Sequence, residues 1–125
     1  MEGGRNDLEE RLFNFAVRTI KYLRSLPSTS EYNVIRYQLT KSSTSSGANY
    51  EEAQAGSSKL DFTNKVRISL REMRESNYWL RILKGIESKT DEELNALIQE
   101  SKELKLILGS IVQKARANNQ DKRQK

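Results

Sequence analysis

Arg67, Arg71, Arg74, Tyr78 and Arg81 recur at steps of four, three, four and three residues in NKVRISLREMRESNYWLRILKG. On an α-helix that spacing makes one narrow stripe. Four guanidiniums with a phenol ring among them could hold phosphate oxygens through forked hydrogen bonds and stack on an exposed base. Residues 58–85 carry seven Lys or Arg against three Asp or Glu, so the segment is locally basic. The same stripe also reads as a solvated face or as a contact between subunits. Glu75, one turn beyond Arg71, would pair part of the charge.

A second group, Gln38, Asn49, Glu52, Glu72 and Glu75, offers carboxylates and amides. Carboxylates inside a helical bundle can bind two metal ions, but that arrangement combines Glu with Glu-x-x-His motifs. The chain has no histidine. Paired carboxylates could also transfer protons. The favoured reading is a structural polar network, a buried set of hydrogen bonds that fixes helix register. Glu52 opposite Arg67 or Arg74 is the cross-helix pair this reading expects. Trp79, beside Tyr78 and Leu80, suits either an apolar anchor at an oligomer interface or an ordinary core position. Tyr22, Tyr32 and Tyr37 would frame one end of the assembly.

Neither cysteine nor histidine is present. That excludes disulfides, thiol nucleophiles and Cys/His metal sites. There is no phosphate-binding loop, dinucleotide fingerprint or catalytic triad, and serine without histidine lacks its usual activating base. No catalytic residue, metal or cofactor is therefore expected, and the chain reads as a non-enzyme. The opening MEGGRND lacks the basic-then-apolar order of a signal peptide, and no apolar run reaches the ~20 residues that span a bilayer. A cytoplasmic location is the expectation. Net charge is +5, which permits an acidic partner such as nucleic acid.

The elements that position these residues are marked by capping boxes, in which a hydroxyl or amide residue precedes an acid by three. Asn6 with Glu9, Ser28 with Glu31, Ser58 with Asp61 and Thr90 with Glu93 all fit. They predict helices over about 7–25, 30–55, 58–85 and 91–117, within a bundle spanning 7–117. Residues 1–6 and the basic 118–125 are expected to be disordered. The first helix gathers Leu8, Leu12, Phe15, Ala16, Ile20 and Leu23 on one face, and Pro27 ends it. The third gathers Phe62, Val66, Ser69, Leu70, Met73, Asn77, Leu80 and Leu83, with Gly85 and Ile86 as a glycine cap and its apolar contact. The fourth gathers Leu94, Leu97, Ile98, Ser101, Leu104, Leu108, Ile111 and Ala115. With 35% hydrophobic residues, a bundle of long helices is the fold such a chain can fill, and some burial against other subunits is expected.

The segment KSSTSSGANYEEAQAGSS, Lys41–Ser58, has two readings. Its composition suits a loop, and Asn49 with Glu52 resembles another capping box. Its spacing suits a continuous helix with Ile35, Gln38, Ser42, Ser45, Asn49 and Glu52 on one face, whose small side chains would let neighbouring helices approach closely. A stub starting at Tyr50 would be too short to hold itself, which favours the continuous helix slightly.

QLTKSSTSSGANYEEAQAGSSKLDF resembles the central motif of the small bundle proteins known as 23S rRNA intervening-sequence proteins. There a Gln-Leu, a Ser/Ala-rich turn, an Ala-Asn and a Glu precede a Ser-Lys…Phe helix start, matched here by Gln38-Leu39, Ala48-Asn49 and Glu52. KVRISLREMRESNYWLRILKGI is similar to that family's third helix, and ELKLILGSIVQKARAN to its last. The resemblance covers roughly residues 7–117. It implies an all-α, antiparallel up-down-up-down four-helix bundle that assembles as a homopentamer, with the serine-rich stretch helical. Tyr50 departs from the family pattern, because it is larger than the residue expected there. The Trp-Leu-Arg segment and the C-terminal Leu-Gly-Ser also resemble the accessory protein of diversity-generating retroelements, which binds reverse transcriptase and nucleic acid. Together these features lead us to expect a homo-oligomeric binding or scaffold protein that contacts RNA, DNA or an RNA-handling protein through its basic face. The alternative is a structural or regulatory protein–protein module with no nucleic-acid role.

Overall fold

Three short connections turn the chain back on itself, and each places consecutive helices side by side and antiparallel. The computed structural model describes residues 5–56, 58–87 and 89–124. Its helices are α1 (Arg5–Arg24), α2 (Ser30–Gln54), α3 (Lys59–Ile86) and α4 (Glu92–Gln124). Each packs on its neighbours in sequence, and α1 closes the bundle against α4. The architecture is an all-α four-helix bundle. No strand occurs among the described residues.

The helix starts follow side-chain chemistry at the free N–H groups. The Ser58 side chain accepts the Asp61 amide at 2.9 Å and starts α3, as the sequence predicts. The other two caps lie one residue later than predicted. Thr29, not Ser28, accepts the Tyr32 amide, and Asp91, not Thr90, accepts the Leu94 amide at 3.0 Å. An aspartate adds its charge to the positive end of α4. Gly85 is not a helix cap: α3 runs through it to Ile86, which is exposed, and Glu87 is the C-cap. The chain ends are also more helical than expected. α1 begins at Arg5, and α4 continues to Gln124 because no Gly or Pro follows Gly109 to stop it. Residues 1–4 and 125, and the side chain of Asn6, lie outside the described residues.

The apolar faces of α1, α3 and α4 meet in one core, with Leu12, Phe15, Val66, Met73, Leu80, Leu97, Leu104 and Leu108 almost fully buried. One end is tied by tyrosines. Tyr22 donates to Asp91 at 2.8 Å, and Tyr32 donates to Glu87. Burial, and then the bond to Asp91, push the Tyr22 phenol well above its ordinary value of 10. Arg36 fastens the same end by donating to the carbonyls of Leu23, Leu26 and Pro27, at and just beyond the end of α1. Tyr37 stays exposed and does not join the frame. Ion pairs cross the α1–α4 seam at its surface. Arg11 holds Glu100 at 2.8 Å and Glu103 at 3.0 Å, and Arg18 reaches Glu93 at 3.3 Å. Hydrogen bonds from Gln99 and Arg11 hold the Glu103 carboxyl below its ordinary range.

The serine-rich stretch is continuous helix, and it packs on α3 through buried hydroxyl side chains. Ser42, Ser43 and Ser46 have no exposed surface. Ser46 Oγ donates to the Ser69 carbonyl at 2.8 Å while Ser69 Oγ donates to the Ser46 carbonyl at 2.6 Å, a reciprocal pair between α2 and α3. Further along, the Ser42 and Ser76 hydroxyls meet at 2.8 Å. Ser42, Ser46, Ser69 and Ser76 on this seam therefore each have a hydroxyl partner, which removes most of the cost of burying them. The inward face of α2 is Ile35, Leu39, Ser42, Ser43, Ser46, Tyr50 and Ala53. It is rotated from the predicted face, so Gln38, Ser45 and Asn49 are only half buried and Glu52 is exposed. Tyr50 fills the interior at 3% exposure. On the opposite flank of α2, a Cβ placed on Gly47 would stand 3.4 Å from Leu12 Cβ, so α1 also approaches closely.

Candidate nucleic-acid interface

Helix α3 buries Val66, Ser69, Leu70, Met73, Leu80 and Leu83, which turns the arginine stripe outward. Arg67, Arg71, Arg74, Tyr78 and Arg81 are all exposed. Antiparallel pairing with α4 then places a second basic row beside the first. Asn64, Arg67, Ile68, Leu70, Arg71, Arg74, Val112 and Arg116 line a trough of about 520 Å³ between the two helices. It shares Leu70 and Arg74 with an adjoining depression of about 430 Å³ that adds Lys105, Leu106 and Gly109. No carboxylate lines either part.

The charge of this trough is mostly uncompensated. Arg71 has one distant ion pair, 3.9 Å to Glu72. Arg67, Arg74, Lys105 and Arg116 have none among the described residues. The expected pairing of Glu75 with Arg71 is absent: Glu75 instead accepts the Trp79 indole N–H at 3.1 Å. Arg81 lies beyond the trough, where its guanidinium sits 5.7 Å from the Tyr78 ring centre. A chain of bonds fixes it there. Ser101 on α4 accepts from the Asn77 amide at 2.8 Å, and Asn77 Oδ1 accepts Arg81 Nε at 2.9 Å.

The second predicted group does not assemble. No hydrogen bond joins any two of Gln38, Asn49, Glu52, Glu72 and Glu75 among the described residues. Asn49 bonds within its own helix, to Ser45, and Glu52 is exposed and makes no ion pair with Arg67 or Arg74. The physical reason is volume. Where α2 and α3 approach this closely, hydroxymethyl groups fit between the backbones and longer polar side chains are pushed to the flanks. The buried polar network consists instead of Ser42, Ser46, Ser69 and Ser76, with Asn77 and Ser101 across the α3–α4 seam. Among the described residues, no cluster of acidic side chains is arranged to hold a metal. Trp79 is half buried, packs against the core and meets Tyr78 edge to face at 5.3 Å.

Sequence reading missed Arg116 and Lys105. The signal was present, since Lys105, Gly109, Val112 and Arg116 repeat the spacing of the α3 stripe. A second surface feature was also missed. Phe13, Val17, Ile20 and Ala48 line an apolar groove of about 390 Å³ between α1 and α2, and Phe13 is largely exposed.

A serine-sealed four-helix bundle with one basic two-helix face defines the class. The family model described as 23S rRNA-intervening sequence protein matches residues 6–110. A crystal structure from Bacteroides thetaiotaomicron, titled as a protein with unknown function from the S23 ribosomal protein family, is 34% identical. It superposes with a TM-score of 0.76 over 84% of this chain and 97% of that one. A search of curated proteins finds no match. The chain belongs to the 23S rRNA-intervening sequence protein family. No described helix is long and apolar enough to cross a membrane.

Proposed function

We propose that this protein is a non-enzymatic, homo-oligomeric scaffold that contacts RNA or DNA, or a protein that handles RNA, through the α3–α4 face. The observation that carries the reading is the trough lined by Arg67, Arg71, Arg74 and Arg116 and free of carboxylates. Unpaired guanidiniums have no ion pair to break on binding phosphate, and Arg presents its donors as a planar fork matched to phosphate oxygens, so less entropy is lost per hydrogen bond formed. Assembly, with a pentamer as the expected form, is supported by the apolar α1–α2 groove, since exposed apolar surface of this kind is commonly covered by another chain.

Electrophoretic retention of RNA and DNA across a salt series tests the reading. Replacing Arg71, Arg74 and Arg81 together by Gln should lower the slope of log affinity against log salt by about 2–3. Sedimentation before and after nuclease should show the same multimer with and without its cargo. Unchanged retention in the triple variant, or absence of retention by the natural protein at low salt, refutes the reading.

A further inference from the structure

Resting on that reading, we infer that the trough takes a single-stranded nucleic acid rather than a duplex, with a base stacked on the Tyr78–Arg81 platform. The argument is the placement of apolar groups among the charges. Leu106, on the α4 bank beside Arg74 and Lys105, is 72% exposed, and Tyr78 continues the α3 stripe at 47% exposed. Against a duplex, a protein surface meets phosphates and sugars first. The exposed Leu106 would then face charged oxygens and gain nothing, and Tyr78 could offer them only its hydroxyl, leaving the face of its ring unused. Against a single strand the bases are unstacked and can cover both. Arg67, Arg71 and Arg74 follow one another about one helical turn apart along α3, so one backbone can run past them down the trough.

Tyr78 is also built as a platform. Arg81 is not a loose surface side chain. The Ser101–Asn77–Arg81 bonds carry its guanidinium to the Tyr78 ring, and Trp79 supports that ring edge-on. Trp79 is in turn fixed by its bond to Glu75. A base arriving there meets an aromatic group and a cation already in position, a combination that binds bases with little regard for sequence.

Fluorescence anisotropy with labelled oligonucleotides of about twelve residues tests this, a length within the usual site sizes of strand-binding proteins. The probes are oligouridylate, oligothymidylate and a mixed-sequence RNA duplex of equal length. Oligouridylate, oligothymidylate or both should bind at least about tenfold tighter than the duplex, and comparing the two identifies RNA or DNA as the preferred strand. Tyr78→Leu should weaken single-strand binding about tenfold and leave duplex binding unchanged, while Tyr78→Phe, which keeps the ring, should bind as the natural protein does. Circular dichroism of each variant reports the fold, and the exposure of Tyr78 leaves the core untouched. Equal binding of strand and duplex, or no effect of Tyr78→Leu, overturns the single-strand inference and leaves the basic-face reading standing. Failure of all three probes at low salt overturns both.

Discussion

The Ser42–Ser76 bridge tests how α2 is held. Its oxygens lie 2.8 Å apart, and neither residue has exposed surface. Ser42→Ala removes the bridge and leaves the Ser76 hydroxyl without its α2 partner in a site closed to water. A hydrogen bond contributes about 1 kcal/mol net, and a stranded buried polar group costs about 1–3 kcal/mol. The Ser76 hydroxyl can turn back toward a carbonyl of its own helix, which limits the loss to about 1–2 kcal/mol. Ser76→Ala is milder, about 1 kcal/mol, because Ser42 keeps its 3.4 Å contact to the Leu39 carbonyl. The double variant strands nothing, and the helix-propensity gain of each alanine is shared with the single variants and cancels from the coupling. It should lie within about 1 kcal/mol of the natural protein, so the two sites should couple by at least ~1 kcal/mol. Urea unfolding followed by circular dichroism measures all four proteins. One protein concentration must be used throughout, since assembly links stability to concentration. Strictly additive single costs would show that the hydroxyls do not act as a pair and would refute the account of this seam.

Alkaline pH and helix glycine give two further expectations. Tyr22 ionises late because it is buried and bonded to Asp91, so its contribution to stability is complete below pH 10 and lost as pH rises further. Tyr22→Phe should flatten the alkaline limb of a pH–stability curve measured by thermal unfolding, and an unchanged limb would remove Tyr22 as its cause. At Gly109 an added Cβ meets nothing within 4 Å, so Gly109→Ala should gain the full helix-propensity difference of about 1 kcal/mol. A melting temperature raised by about 3–5 °C is expected, and a fall would mean that the position is crowded by something the single chain lacks.

The three apolar faces were readable in the sequence because Leu, Val and Met at helical spacing have one stable place to go. Val66, Met73, Leu80, Leu97 and Leu104 are buried as their periodicity predicts. α2 was less legible. Its inward side is set by hydroxyls as much as by hydrocarbon, and hydroxyls are equally at home in water. Hence the predicted face included Gln38, Asn49 and Glu52, whereas Leu39, Ser46 and Tyr50 turn inward. Cap positions at Thr29 and Asp91 were missed by one residue, because neighbouring Ser, Thr and Asp compete for the same N–H groups. The α3 stripe was visible from spacing alone. Its partner row, Lys105 and Arg116, becomes a site only when two antiparallel helices are laid together, which periodicity within one helix does not reveal.

Hydrocarbon against hydrocarbon tolerates sliding, since a leucine one turn away is nearly as good a neighbour. The Ser46–Ser69 exchange does not, because each oxygen reaches the other helix's main chain at one position only. A slip of a single turn along the hairpin would separate both pairs at once. Filling this seam with larger aliphatic groups would therefore force the helices apart and admit several alignments where the natural sequence permits one.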